Sequence, residues 1–531
     1  MKRALLILRL LLAVLVVAGT LEAGARQVPI TILHTCDLHG NILPTVSYEG
    51  ETNLGGLARC ATVIEQVRQE VPHVLVVDAG DTVQGTAVSW LTGGQVMVRA
   101  LNAIRYDAWV CGNHEFDWGL EKLAACAEQA RMPLLNANVS CTGSNELAGR
   151  IAARLTPYVI REVDGVKVGI IGLNTPGIPN WSRPGLLGGL WFADSVETLR
   201  RVVPELRKKG ADVLVLVCHQ GYREGGDDHA NQIKAIAENF PELDVIIGGH
   251  THRHFPELKI RNVLYCQADY YGIHLGRVDL VYDTDQKRLV QRTARTYRMD
   301  AKVTVDAGLM KMLGGELERA QKHLDIVVGE AAEAFGLEGA PKRESPVHAL
   351  ICEAIAAGLQ QRGVKVDAVV HGILDSHATL QKGPVRVRDV WKIMPYENTI
   401  GVVHVTPSEL REILDENAAA YEKREFRGIW GLKWEFYPSA TNGNRTVSLT
   451  RADGLPLPEE KRLAVAFNSY DLASGGLRWR KLREVAERPE VKLEEFNLQT
   501  REALIEYIRS QKRISSQVTE WWQKVRRPNR K

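Results

Sequence analysis

From residue 30 onward the chain repeats one phrase: four to eight apolar residues rich in β-branched side chains, a polar cluster, then a segment of helical period. The apolar runs are ITILHTCDLHG, VLVVDAGDTVQG, AWVCGNHEFDWG, PLLNANV, VLVLVCHQG and DVIIGGHTH; amphipathic stretches such as LARCATVIEQVRQE and SVETLRRVVPELRKKG lie between them. Strands that are apolar on both faces need cover on both faces. The alternation therefore predicts an α/β domain around buried, mostly parallel strands. The segment YVIREVDGVKVGIIGL turns at Asp164 and Gly165, a dipeptide suited to a tight hairpin, and makes the sheet mixed.

Such a sheet gathers its loops at the strand ends, where polar residues distant in sequence can meet. Five strand ends carry metal-ligand types: Asp37 with His39, Asp81, Asn113 with His114, His219, and His250 with His252. The spacing of two within the first and last pairs puts both side chains on one face of an extended segment. Asp81 precedes Gly85 in a turn where a carboxylate can bridge two ions. A single histidine at a strand end is more often a hydrogen-bonded structural residue, and GGHTH alone reads as a tight turn. Five clusters in one domain are harder to place that way, because each buried imidazole or carboxylate costs on the order of several kcal/mol unless paired or metal-bound. Metal binding is the favoured reading. Mixed imidazole, carboxylate and amide donors suit zinc, manganese or iron better than calcium, and no cysteine quartet marks a structural zinc. Even with His114 set aside, seven donors exceed the needs of one ion. Two divalent metal ions about 3.5 to 4 Å apart would activate a water and clamp both oxygens of an in-line displacement at phosphorus.

The ordered set DLHGN, GDTVQG, GNHEFDWG, CHQG and GGHTH resembles the calcineurin-like metallophosphoesterases, in particular their exported 5'-nucleotidase and UDP-sugar hydrolase branch. The resemblance covers nearly the whole chain beyond its leader. It implies a four-layer α/β/β/α metallophosphoesterase domain followed by a smaller α/β 5'-nucleotidase-type C-terminal domain. It also implies Asp37, His39, Asp81 and His252 at one metal, and Asp81, Asn113, His219 and His250 at the other. In this pattern His114 stabilises the transition state and assists the leaving group, and Asp117 orients it. The chemistry of the residues agrees: a departing alkoxide benefits from a proton or cationic partner, and His114 needs a nearby carboxylate to fix its tautomer. Asp117 equally suits the first turn of the helix that starts near GLEKLAACAEQA. Glu115 receives no role.

Segment boundaries follow from composition and pattern. Residues 1–25 combine a basic start, an apolar middle and a small-residue exit at Ala23, Gly24 and Ala25, the layout of a signal peptide. The clean apolar run from Leu10 to Gly19 is too short to cross a bilayer core of roughly 30 Å. The expectation is an exported protein, periplasmic or extracellular, with no stable membrane anchor. A catalytic domain is expected over residues 27–300, a connecting helix without a strong apolar stripe over 301–328, a substrate domain over 329–510 and a basic tail over 511–531. All eight cysteines follow the leader, at spacings that form no disulfide framework and suit small core residues. With 67 basic and 64 acidic residues the net charge is only +3, which makes no demand for a nucleic acid polymer.

In the second domain LICEAI, MPYENT and NSYDLASGG resemble the family, and RGIWGLKWEFYP with RLAVAFNSYDLASGG reads as a strand pair. The substrate positions differ. Where the family carries an Asn-Gly-Gly segment ending in a substrate-holding arginine, VVHGILDS offers His371 and Ser376. Leu477 follows Gly475 and Gly476 where an aspartate is expected. Asp471 stands at one base-stacking position with Tyr470 beside it, and Trp430 aligns approximately with the other. Trp430 and Tyr470 are thus the candidate substrate-binding residues, and both also suit core or interdomain packing. Losing the arginine removes a bidentate anion clamp that serine cannot copy. The expected function is metal-dependent hydrolysis of phosphate esters, of 5'-nucleotides or a related phosphorylated small molecule. The alternatives are a phosphodiesterase or pyrophosphohydrolase acting on UDP-sugars or 2',3'-cyclic nucleotides, and a non-catalytic surface binding module.

Overall fold

The computed structural model describes residues 26–375 and 377–526; the leader assigned to residues 1–25, Ser376 and residues 527–531 lie outside the described residues. The repeated apolar runs form two sheets. One has seven strands, in the order Arg288–Arg298, His274–Asp283, Gln27–Thr35, Val74–Asp78, Ala108–Trp109, Leu134–Leu135 and Leu155–Thr156. The other has six, in the order His254–Ile260, Val263–Ala268, Val245–Gly248, Val213–Cys218, Val166–Leu173 and Tyr158–Val163. Neighbours at the centre of each sheet run parallel; both edges of the six-stranded sheet and the Arg288–Arg298 edge of the seven-stranded one are antiparallel, and the Leu155–Thr156 edge is parallel.

Alternation along the strands decides what each face meets. Ile30, Ile32, Val77 and Ala108 from the first sheet share one core with Val168, Val215 and Val245 from the second. Leu33 and Val76 face the other way, onto the helices Leu57–Glu70, Gln95–Ile104 and Leu120–Gln129. The second sheet is likewise covered by Ser195–Lys208 and Ile233–Asn239. Helix, sheet, sheet, helix are the four expected layers. The hairpin at Asp164 and Gly165 also forms, with φ of 49° and 84° at the two turn residues. Seven cysteines are buried, Cys141 is half-buried, and all eight are free thiols.

The second domain is a five-stranded sheet, in the order Gly428–Trp430, Ala368–His371, Leu463–Asn468, Thr399–Val405 and Leu493–Gln499. Helix Pro346–Gln361 packs on one face, and Pro407–Ala418 with Arg480–Ala486 on the other. Three expectations change here. Gly428–Trp430 and Leu463–Asn468 do not pair with each other, because Ala368–His371 lies between them. The segment expected as a tail does not stand apart: Arg513–Ile514 joins Val327–Ala331 and Trp522–Lys524 joins Leu432–Phe436, each in parallel. The connector, helix Ala307–Asp325, does carry a stripe, with Leu309, Leu313, Leu317, Ala320 and Leu324 at spacings of three and four. Leu324 touches the cores of both domains, so the helix is a packed joint.

Candidate metal centre

The loops that follow the strands Gln27–Thr35, Val74–Asp78, Ala108–Trp109, Val213–Cys218 and Val245–Gly248 converge at one end of the two sheets and bring all seven sequence-predicted donors together. Ligand atoms of Asp37, His39, Asp81 and His252 lie within 4.8 Å of one another, as do those of Asp81, His219 and His250. Asn113 joins the second group, its Oδ1 lying 3.1 Å from His219 Nε2. Asp81 is common to both. Asp37, His39, Asp81, His250 and His252 have φ of 51°, 46°, 54°, 72° and 51°, a left-handed backbone that costs non-glycine residues on the order of 1–3 kcal/mol each. Asp269 and Tyr271, near the same centre, share this backbone with φ of 71° and 54°.

The donor chemistry fits a pair of cations. His39 Nδ1 meets only acceptors, the backbone oxygen of Gln84 at 3.1 Å and its side-chain Oε1 at 3.2 Å, so this nitrogen carries the proton. Burial lowers the His39 pKa to about 4, which keeps the ring neutral and leaves a lone pair on Nε2. That lone pair faces His252 Nε2 at 3.1 Å, where a proton on His252 or a cation between the rings would satisfy it. At the other end of Asp81, His219 Nε2 lies 3.0 Å from the carboxylate. Burial acts to lower the His219 pKa, but Asp81 outweighs it and pushes it up to about 9. The centre seeks positive charge at both ends of one carboxylate.

Two further acids fix the loops. Glu115, which the sequence left without a role, is buried and accepts hydrogen bonds from the backbone N–H groups of Asp81 (2.9 Å), Thr82 (2.7 Å), Val83 (3.1 Å) and Gly112 (2.5 Å). It thereby ties the loop of Asp81 to the loop of Asn113. The loops approach so closely that a Cβ on Gly80 would sit 2.6 Å from the Gly112 nitrogen. Asp78 braces the same turn, accepting from Thr35 and Thr82 hydroxyls. Glu115→Gln should turn an amide nitrogen towards these donors and reduce unfolding stability by about 1–3 kcal/mol. Urea unfolding of the metal-stripped variant checks this, and an unchanged midpoint would contradict the bracing role.

His114 stands beside the donors. Its backbone N–H donates to Asp81 Oδ1 at 2.8 Å, and its Nδ1 lies 2.6 Å from Asp117 Oδ2. Burial opposes protonation of the ring, but Asp117 and Asp81 outweigh it and push the pKa up to about 10. A cation at Asp81 would draw this value down.

Comparison with known proteins decides the family. Residues 30–254 match the calcineurin-like phosphoesterases, and residues 327–484 match the 5'-nucleotidase C-terminal domain. The chain is a calcineurin-like phosphoesterase with a 5'-nucleotidase C-terminal domain. A snake venom 5'-nucleotidase from Naja atra is 28% identical over 84% of this chain and 90% of its own. The 2',3'-cyclic-nucleotide 2'-phosphodiesterase/3'-nucleotidase of Haemophilus influenzae is 26% identical over 84% of this chain and 80% of its own. Among solved structures, a 5'-nucleotidase precursor from Thermus thermophilus superposes with a TM-score of 0.71 at 26% identity, covering 94% of this chain and 100% of the other. Calcineurin-like phosphoesterases use two divalent metal ions, and the two donor groups joined by Asp81 suit that pair.

Two clefts of this phosphoesterase open onto the centre between its domains. The first, of about 370 Å³, runs from Asn113, His114 and His250 to Tyr396, Tyr470 and Arg478 of the second domain, with Trp181 at its side. The second, of about 1270 Å³, exposes His39, Asp81 and His252 and is walled by Tyr48, Tyr271 and Lys392. His114, Tyr396 and Arg424 border both. Of the two candidate substrate residues, Tyr470 lines the first cleft. Trp430 pairs with Val369 in the sheet, packs 5.9 Å from Trp521 and lines neither of these two clefts. Asp471 is fully buried and paired with Arg427 at 3.0 Å, and His371 is buried against the Gly372 carbonyl. Sequence reasoning missed Tyr396, Trp181, Arg424 and Arg478. Tyr396 lies within the quoted MPYENT, where the family resemblance was its only signal.

A largely buried carboxylate at the wall of the first cleft joins the domains. Glu397 Oε2 accepts from Gln84 Nε2 at 2.9 Å and Trp118 Nε1 at 3.0 Å, while Oε1 accepts from Arg501 at 2.5 Å. Gln84 is the residue that orients His39, and Trp118 neighbours Asp117.

Proposed function

We propose that this phosphoesterase hydrolyses phosphate monoesters of 5'-nucleotides or of closely related phosphorylated small molecules. The observation that carries the reading is the sharing of Asp81 by two donor groups beside a histidine–aspartate pair, at the mouth of a cleft with aromatic and cationic walls. In this reading Asp37, His39, Asp81 and His252 hold one ion, and Asp81, Asn113, His219 and His250 the other. Two divalent ions there supply Lewis acidity to the phosphoryl group and a nucleophilic water at neutral pH. His114, with Nδ1 tied to Asp117, offers its Nε2–H to the leaving oxygen. Tyr396, Tyr470 and Trp181 provide flat surfaces for a base, and Arg424 and Arg478 provide the cationic contacts absent from residues 371–376.

The second cleft favours a second reading. A monoester leaves it empty, whereas a diester or pyrophosphate has two arms and can occupy both sides of the centre. The two relatives named above are likewise a 5'-nucleotidase and a cyclic-nucleotide phosphodiesterase. Hydrolysis rates for AMP, UDP-glucose and 2',3'-cyclic AMP on the metal-loaded protein separate the readings: AMP should be fastest, and a preference for either other compound would transfer the assignment. Arg424→Ala and Arg478→Ala should each raise KM for AMP roughly 10-fold or more, since hydrogen bonds to charged groups contribute about 1.5–3 kcal/mol. No turnover together with no metal uptake would restore the binding-module alternative.

Export completes the proposal. The leader pattern of residues 1–25 supports it, as does the venom origin of the relative from Naja atra. Among the described residues no helix is long and apolar enough to cross a membrane.

A further inference from the structure

We propose that Tyr48 is a positioning residue for one of the two cations, its hydroxyl holding the His252 imidazole in the orientation and tautomer that ligation needs. The inference rests on the metal-centre reading above and adds to it a residue outside every motif that pointed there. The three ring-ordering contacts differ in kind. His39 is held by Gln84 and His219 by the backbone carbonyl of Ala79 at 2.8 Å, both from loops packed inside the catalytic domain. Their side chains are 6% and 0% exposed. His252 is 23% exposed, and its Nδ1 meets the hydroxyl of Tyr48 at 2.7 Å.

Ligation through Nε2 sets the direction of that bond. His252 Nε2 points at Asp37 Oδ1, 3.4 Å away, and at His39 Nε2, so Nε2 is the ligating nitrogen. Nδ1 then carries the proton and donates to the Tyr48 oxygen. Metal-bound histidines ordinarily donate this N–H to a carboxylate, a carbonyl or water, and the partner sets the ring's orientation and basicity. Here a phenol takes that place.

Tyr48 is itself held from below. It sits between the short paired strands Thr45–Val46 and Thr52–Leu54, with nearly half of its surface exposed. Its ring stacks on the buried Tyr270 at 4.2 Å and 20°, and its backbone N–H donates to the Tyr270 hydroxyl at 3.0 Å. The line of support runs from Tyr270 in the fold to Tyr48 on the surface and then to His252 at the centre. His252 belongs to only one donor group, that of Asp37, His39 and Asp81. Loss of the hydroxyl should therefore weaken one ion and spare the other.

Tyr48→Phe removes the hydroxyl and keeps the stacking ring. The full purified protein, stripped with a chelator, is titrated with Mn2+ by calorimetry. Wild type should take up two ions; in the variant one dissociation constant should rise about 10- to 100-fold while the other stays. Activity of the variant should fall at limiting Mn2+ and recover at saturation, with the unfolding midpoint of the stripped protein unchanged. Two unchanged constants, or two that shift together, would overturn the role of Tyr48 while leaving the metal centre in place. A wild-type protein that takes up no Mn2+ would overturn both.

Discussion

Asp81→Asn is expected to lower kcat/KM for an aryl phosphate by ~10³-fold or more, because it removes the one carboxylate shared by both donor groups. Removing one charged partner from a buried electrostatic cluster costs about 3–5 kcal/mol, and each 1.4 kcal/mol is about tenfold in rate. The asparagine keeps an oxygen to accept the His114 backbone N–H, now held by Asp81 Oδ1 at 2.8 Å, so the loop has a partner in the variant too. The loss should therefore appear as missing metal rather than as unfolding. Elemental analysis should find both ions depleted in Asp81→Asn, whereas Asp37→Asn should deplete chiefly the ion it shares with His39 and His252. Full activity in Asp81→Asn would refute the centre.

His114→Ala should retain its metal and lose about 10²- to 10⁴-fold in kcat, the range for a positioned proton donor. The size of the loss should depend on what departs. A p-nitrophenolate leaves without a proton, so its phosphate ester should suffer least; AMP, which expels an alkoxide, should suffer most. An equal loss for both esters would assign His114 a role other than leaving-group assistance. The pH dependence has a defined sign. Burial opposes protonation, but Asp117 and Asp81 raise the His114 pKa, to about 10 in the metal-free protein; a cation at Asp81 lowers it, so in the loaded enzyme the protonated ring is lost as pH rises through a value below that. Asp117→Asn removes the foremost of the groups that raise it and should move the alkaline limb of kcat to lower pH. A stationary limb would detach Asp117 from the proton donor.

The metal centre was legible in the sequence because each donor follows its own apolar run, and parallel strands deliver their ends to one place. Glu115 was not, since its partners are four backbone amides that no residue type announces. Tyr48 meets His252 across 204 positions of chain, and nothing local marks that meeting. In the second domain the resemblance located the right segments but not the faces of their residues. Trp430 turns towards Trp521, and Tyr396 faces the centre in its stead. Asp471 looked like a gap in a stacking pair; it is the buried counter-ion of Arg427, whose identity is readable only once the two segments are folded together. The connector's stripe was diluted by Met310, Met312, Gly314 and Gly315, which interrupt its leucines in sequence but not in space.

The buried acid at position 397 restricts how the two halves can be recombined. A chimera that grafted a foreign substrate domain onto this catalytic domain without an acid there would leave Gln84 and Trp118 with unmet donors at the joint, whereas Arg501 belongs to the same domain as Glu397 and moves with it. Glu397 borders the first cleft and Gln84 the second, so exchanges of wall residues have to spare these two. Redesign of the walls and preservation of the joint therefore meet at the same pair of side chains, and a transplanted substrate domain keeps the joint only if it brings an acid to the place of Glu397.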